Sequence, residues 1–325
     1  MMGPTLPIST RRDVCTGECE YCVYKRLWVP YWDRFAMVPA KMVSSRFCLL
    51  YSLIPSLVAA QACNLQFDGR IDAALAAADF DVPNDIFSET FVIGQGLVFS
   101  QALRLLPAAA GSSFDVDIGA EPAEVLISDD SIFNNQVAFR RAELLPASND
   151  GADASTQGVK TLHFSVLKDA VRPLNLSHEY QLVFLESQDF STNQFVLKTG
   201  TILGQNTADP DTLQLFGNLN DGQLLFSTAF TAGVFHNFAL TLDFDKLTTQ
   251  VFFSRGGDAL ASVTDVLEND VSGRGQFHFG VLKKPVGGVG DITKNGFQPD
   301  AINEGIIFGG IFQEDSADGC ISLEP

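Results

Sequence analysis

Short apolar runs recur along most of this chain, and turn residues cut them at regular intervals. The runs Gly96–Ser100, Ala123–Ser128, Phe139–Leu144, Thr161–Leu167, Tyr180–Glu186 and Gln194–Ile202 are rich in Val, Phe, Leu, Ile or Thr. So are Thr212–Phe216, Leu224–Phe230, Phe235–Phe244, Thr249–Ser254, Gln276–Leu282 and Gly305–Phe312. Each has the length and composition of a β-strand. Between them stand Asn218-Leu219-Asn220-Asp221-Gly222, Gly256-Gly257-Asp258 and Ser272-Gly273, which favour tight turns. This pattern predicts an all-β chain: an antiparallel β-sandwich or β-jelly roll, with a concave sheet face as a groove for a linear ligand. Helical periodicity is weak outside Ile71–Ala78, which reads as a short surface helix. Pro146–Gly158 is polar and reads as a loop, because strands resume directly after it. No Pro/Ser/Thr linker and no solenoid repeat divides the chain, so one large β domain is expected.

A different pattern lies near the N-terminus. Met42-Val43-Ser44-Ser45-Arg46-Phe47 precedes the apolar stretch Cys48–Ala60, and Ala60-Gln61-Ala62 places small residues at −3 and −1 before Cys63. That is the layout of a secretory signal peptide over 42–62. The apolar stretch is 13 residues long and contains Pro55, whereas a spanning helix needs about 20 residues. Residues 1–41 then read as a mis-assigned translation start, and 63–325 as the exported, extracellular domain. Cys15, Cys19 and Cys22 have the C-x3-C-x2-C spacing of an iron–sulfur site, but the export signal behind them argues against a cytosolic cluster.

This division sharpens the composition. Cys63 and Cys320 are the two cysteines left in 63–325, one at each end, and an oxidising compartment would join them. The same span holds 14 basic and 35 acidic residues, a net of −21. Such charge disfavours nucleic acid, anionic membranes and polyanionic polysaccharides, and suits a neutral partner. Both tryptophans and four of the five tyrosines fall before residue 63, leaving Tyr180 and many Phe as stacking surfaces.

Side chains two apart on a strand share a face. Phe139, Arg141 and Glu143 form one such set, and Tyr180, Leu182, Phe184 and Glu186 another. His278 shares its face with Gln276 and Gly280, against Phe277 and Phe279. Two carboxylates and an imidazole are thus available from three strands. Glycoside hydrolysis uses such a set, an acid for the leaving oxygen and a base for water. Each of these also has a bland explanation: Glu143 can be a structural partner of Arg141, His278 a packed sheet histidine, and Glu186 or Glu179 a charge at a strand end. His163, His178 and His236 read as structural.

The runs Ile127–Phe133, Phe139–Pro146, Arg172–Leu182, Ser191–Phe195, Gln276–Gly280 and Glu304–Gly310 resemble glycoside hydrolase family 131. The resemblance covers the whole of 63–325. It implies an exported fungal β-glucanase with a β-jelly-roll fold, acting on β-1,3-, β-1,6- and β-1,4-linked glucans with inversion. It places catalytic roles on Glu143, His278 and Glu186, with Glu179 the alternative to Glu186. Arg141, Tyr180 and Gln276 are expected to bind substrate. One departure stands at Phe235, where the resemblance leads one to expect Trp.

A jelly-roll polysaccharide lyase would carry a similar Arg-x-Glu-Leu strand and nearby His. Such enzymes need a Tyr beside the His, where this chain has Phe277 and Phe279, and they favour polyuronates, which the charge opposes. A glucan-binding lectin or a structural wall protein are the remaining alternatives. Asn175-Leu176-Ser177 is a glycosylation sequon. No cofactor is expected, although Asp115 and Asp117 offer carboxylates for a structural Ca²⁺. The mature protein is expected to be a monomer that engages neutral β-glucan.

Overall fold

In the computed structural model, residues 63–88 and 92–324 are described. The expectations for 1–41 and for the signal peptide over 42–62 therefore lie outside the described residues. Two antiparallel sheets pack face to face. The larger runs Ala261–Ser262, Thr248–Arg255, His236–Asp243, Val159–Lys168, Asn303–Asp315, Ala123–Ser128 and Leu103–Leu105 in spatial order. Leu65–Asp68 adds to the Asn303–Asp315 strand, and Leu267–Glu268 to Thr248–Arg255. The smaller sheet runs Leu224–Ala229, Thr212–Phe216, Asn193–Gly200, Glu179–Glu186, Gln276–Lys283 and Arg140–Leu144.

The period of two explains which faces meet. Leu162, Phe164 and Val166 of the larger sheet, with Phe238 and Leu240, enter one core with Phe277, Phe279 and Val281 of the smaller. Phe164 stacks on Phe238 at 5.1 Å and meets the edge of Phe279 at 6.3 Å. Because Phe277 and Phe279 point inward, His278 and Gly280 are turned to the outer face of the smaller sheet.

Three local expectations are corrected. Gly96–Ser100 is not a strand: Phe99–Ala102 forms a single helical turn, in which Phe99 stacks on Phe80 at 5.3 Å. Asp81 holds that turn by accepting from the Ser100 amide and hydroxyl. The helix expected over Ile71–Ala78 is instead the short strand Ile71–Asp72 followed by a 3-10 turn, Ala77–Asp81. Ile71 pairs with Glu121, and Asp72 caps the strand by accepting from the Ala74 amide. Nor does Asp115 serve as an open cation ligand. It is buried, and its oxygens accept from the Gly310 and Ser112 amides and the Ser112 hydroxyl. Asp117 is exposed.

Pairing of Leu65–Asp68 with the C-terminal strand carries Cys63 to Cys320, and the two form a disulfide with a Cα–Cα distance of 5.6 Å. Their sequence separation of 257 makes the covalent loop nearly as long as the domain. The chain-entropy model gives such a bond about 5 kcal/mol. The reduced protein is therefore expected to unfold at distinctly lower urea than the oxidised one. Coincident unfolding curves would show that the strand pairing alone sets the stability.

Candidate active site

Three strands of the smaller sheet bring the site together on its outer face. Gly280 of the central strand pairs with Glu143 on one side, and Gln276 pairs with Glu186 on the other. His278 lies between these two positions on its own strand, so its ring falls between the two carboxylates. Nδ1 is 2.8 Å from Glu143 Oε2 and Nε2 is 3.5 Å from Glu186 Oε2. The first contact is a hydrogen bond. The second is too long for one and is an ion-pair approach. Phe184 stacks flat on the imidazole at 4.3 Å and fixes its plane.

The glycines explain why these side chains fit. A Cβ at Gly280 would lie 2.2 Å from the Ala142 carbonyl oxygen and 2.6 Å from Glu143 Cα. Only a bare backbone lets the Glu143 strand approach here. Gly275, at φ +99°, plays the same part beneath Glu186, whose carbonyl oxygen a Cβ would strike at 1.8 Å.

Arg141 completes the buried side. Its Nε and Nη2 donate to both Glu143 oxygens at 2.7 and 2.8 Å, a bidentate pair. Nη1 donates to Gln136 Oε1 at 3.0 Å, and Phe133 lies under the guanidinium at 5.5 Å. The Glu143 side chain is 0% exposed, that of Glu186 25%. The row Arg141–Glu143–His278–Glu186 thus runs from the interior to a cleft. Glu186 lines this cleft with Asp150, Gly151, Gln188, Phe190 and Gln276.

Electrostatics follow from this arrangement. Burial alone would raise the Glu143 pKa. The Arg141 charge, with hydrogen bonds from His278 and Arg141, outweighs burial and brings it from 4.5 to about 2. Burial opposes charge on His278, but its bond to Glu143 and the nearby Glu186 carboxylate raise its pKa above 6.5. Both groups are therefore held charged. The depressed Glu143 contributes stability that is complete above pH 4.5 and lost as pH falls toward about 2. The raised His278 contributes stability that is complete below pH 6.5 and lost as pH rises through its folded value. Thermal scans across pH should show both limbs, and His278→Gln should flatten the alkaline one. An unchanged alkaline limb would exclude a charged ring.

The structure brings together Glu143, His278, Glu186, Arg141 and Gln276, whose Nε2 donates to the Asn149 carbonyl at 3.3 Å. Tyr180 is corrected: it does not reach this site. Its ring is buried in the inter-sheet core and its hydroxyl donates to Glu304 at 2.6 Å. A β-bulge between Gln181 and Val183 is the reason, because the extra residue turns Phe184 and Glu186 to the face opposite Tyr180. Glu179 is also elsewhere. It sits seven residues back on the same strand, roughly 23 Å away at strand rise, with salt bridges to Lys284 and Lys198. Phe184 shares the face of Glu186 as the alternation implied, whereas Phe133, Gln136 and the cleft residues Asp150, Gly151 and Phe190 were not anticipated. Phe133 lies within a run that carries the family resemblance, which was its one available signal.

An imidazole between two carboxylates, beside a cleft on an antiparallel sandwich, is equipment for moving protons at a polar bond. The profile of the glycoside hydrolase 131 catalytic N-terminal domain matches residues 65–319. The chain belongs to this family and is a glycoside hydrolase. Its fold is that of a GH131 beta-glucanase catalytic domain from Podospora anserina, with TM-score 0.62 and 24% identity over 80% of this chain and 98% of that one. It is equally that of the catalytic domain of a family 131 protein from Coprinopsis cinerea, with TM-score 0.60 and 24% identity over 81% and 98%. No curated protein matches the chain.

Proposed function

We propose that this protein is an exported β-glucanase that cleaves β-1,3-, β-1,6- and β-1,4-glucosidic bonds of cell-wall glucans by acid/base catalysis with inversion. The observation that carries this reading is the His278 ring lying between a sealed carboxylate and one open to the cleft. Glu186 is the group that meets the substrate and exchanges a proton with it. Glu143, ionised and sealed by Arg141, is not a proton donor. It keeps the imidazole charged and oriented, and the imidazole balances charge on Glu186 as the proton moves.

Inversion is what the family resemblance implies, and it calls for a second proton-carrying group across the cleft from Glu186, one acting on the leaving oxygen and the other on water. A net negative domain suits a neutral glucan over a polyuronate. Export is supported by the signal pattern over 42–62 and by the Cys63–Cys320 bond. Asn175 lies exposed, as a glycosylated residue must. We read the mature protein as a monomer.

The test is to incubate residues 63–325 with β-1,3-, β-1,4- and β-1,6-glucans and follow the anomeric protons of the products. The expected result is reducing-sugar release, with the α-anomer appearing first. First appearance of the β-anomer would replace inversion by retention. Glucan binding without release would reassign the domain as a lectin.

A further inference from the structure

At the mouth of the Glu186 cleft stands an aromatic ring that the fold does not use. Phe190 is 73% exposed and packs into none of the apolar clusters among the described residues. Its backbone is in the left-handed region, at φ +59°. That conformation favours Gly or Asn and is unusual for a bulky side chain. A strained backbone is ordinarily offset by burial of the side chain. Here no burial offsets it, and such an outlier beside a site points to function.

The turn that carries Phe190 is held firmly. The buried Ser187 hydroxyl accepts from the Ser191 and Thr192 amides, and the Phe190 amide donates to the Ser187 carbonyl at 2.8 Å. The Gln188 amide donates to the Gly273 carbonyl at 3.0 Å, tying the turn to the neighbouring loop. Glu186 is the last residue of the strand that leads into this turn. The backbone at Phe190 therefore keeps a fixed place relative to the strand that carries the carboxylate. A polar trough shares Ser187 and Gln188 with the cleft and continues past Asn218, Asn220 and Asp270. A long chain seated at Glu186 has room to extend there.

We propose that Phe190 is a stacking platform for a glucosyl unit next to the one cleaved. A β-linked glucosyl ring carries its hydroxyls around its edge and presents flat C–H faces, which suit the face of a phenyl ring. Phe190 is thus a substrate-positioning residue for extended β-glucan. This rests on the glucanase reading above, and the test separates the two.

Binding of β-1,3- and β-1,4-linked hexasaccharides is measured by calorimetry in a Glu186→Gln background, with Phe190→Ala, Phe190→Trp and Phe297→Ala added singly. Phe297 is a comparably exposed phenylalanine, bridged to Val286, and serves as the control. Phe190→Ala is expected to weaken binding about tenfold, with Phe190→Trp retaining it and Phe297→Ala unchanged. Equal affinity for Phe190→Ala and its parent overturns the proposal, as does equal weakening by Phe297→Ala. Hydrolysis by the parent with Glu186 intact is read separately. Loss of binding in Phe190→Ala without any hydrolysis by the parent upholds the platform and removes the enzyme reading. Hydrolysis with unchanged binding does the reverse.

Discussion

Glu186→Gln is expected to lower kcat on β-glucan by about 10²–10⁴-fold, the usual worth of a general acid or base, while Tm stays within roughly 2 °C of the parent. The stability half of this expectation comes from exposure. The Glu186 side chain is partly open to the cleft and makes no hydrogen bond to His278, so its replacement breaks no buried hydrogen bond. The activity half comes from position, since Glu186 is the member of the row that a substrate can touch. Kinetics and a thermal scan on one preparation decide it. Full activity in Glu186→Gln would remove this residue from the chemistry and leave the cleft without its proton carrier.

Glu143→Ala should behave in the opposite way. The substitution takes both carboxylate oxygens from a buried Arg141 and the Nδ1 partner from His278. Breaking a buried pair by removing one member costs about 3–5 kcal/mol, because the remaining charge stays desolvated. For a domain of this size that corresponds to a fall in Tm on the order of 10 °C. Activity should fall as well, since the ring loses the anion that keeps it charged. The comparison of variants is diagnostic: loss of activity with stability retained for Glu186, loss of both for Glu143. If Glu143→Ala keeps the parent Tm, the Arg141–Glu143 contact is not the tight pair described, and Glu143 is free to act as a proton carrier.

Much of the fold was legible because long stretches of the core strands alternate in twos. Phe277 and Phe279 are inward and His278 outward, as period two requires, and the strand pattern predicted nearly every long strand. The candidate site was partly legible for the same reason. Arg141 and Glu143 share a face, and their strand does lie beside that of His278. The failures have equally local causes. Tyr180 was placed with Glu186 by counting in twos, and a single bulge at residues 181–183 reversed the count. Nothing in a run of Leu, Val and Phe marks where a strand gains an extra residue. Glu179 and Glu186 could not be separated until register showed Glu186 opposite Gln276. The apolar pattern at Gly96–Ser100 was overruled by hydrogen bonds that Ser100 donates to Asp81, nineteen residues away.

The order of strands has a consequence for synthesis. Asn303–Asp315, translated well after both of its neighbours, lies in the middle of the larger sheet, between Val159–Lys168 and Ala123–Ser128. Until it leaves the ribosome, those two strands have no common neighbour, and each presents an open edge. At about 5–20 residues per second, that interval lasts many seconds, long enough for strange chains to add to the exposed edges. The sheet is completed like an arch receiving its keystone, by a strand made long after the two it joins. A nonsense codon anywhere before residue 303 would therefore yield not a shortened domain but an unclosed one, directed to degradation or aggregation.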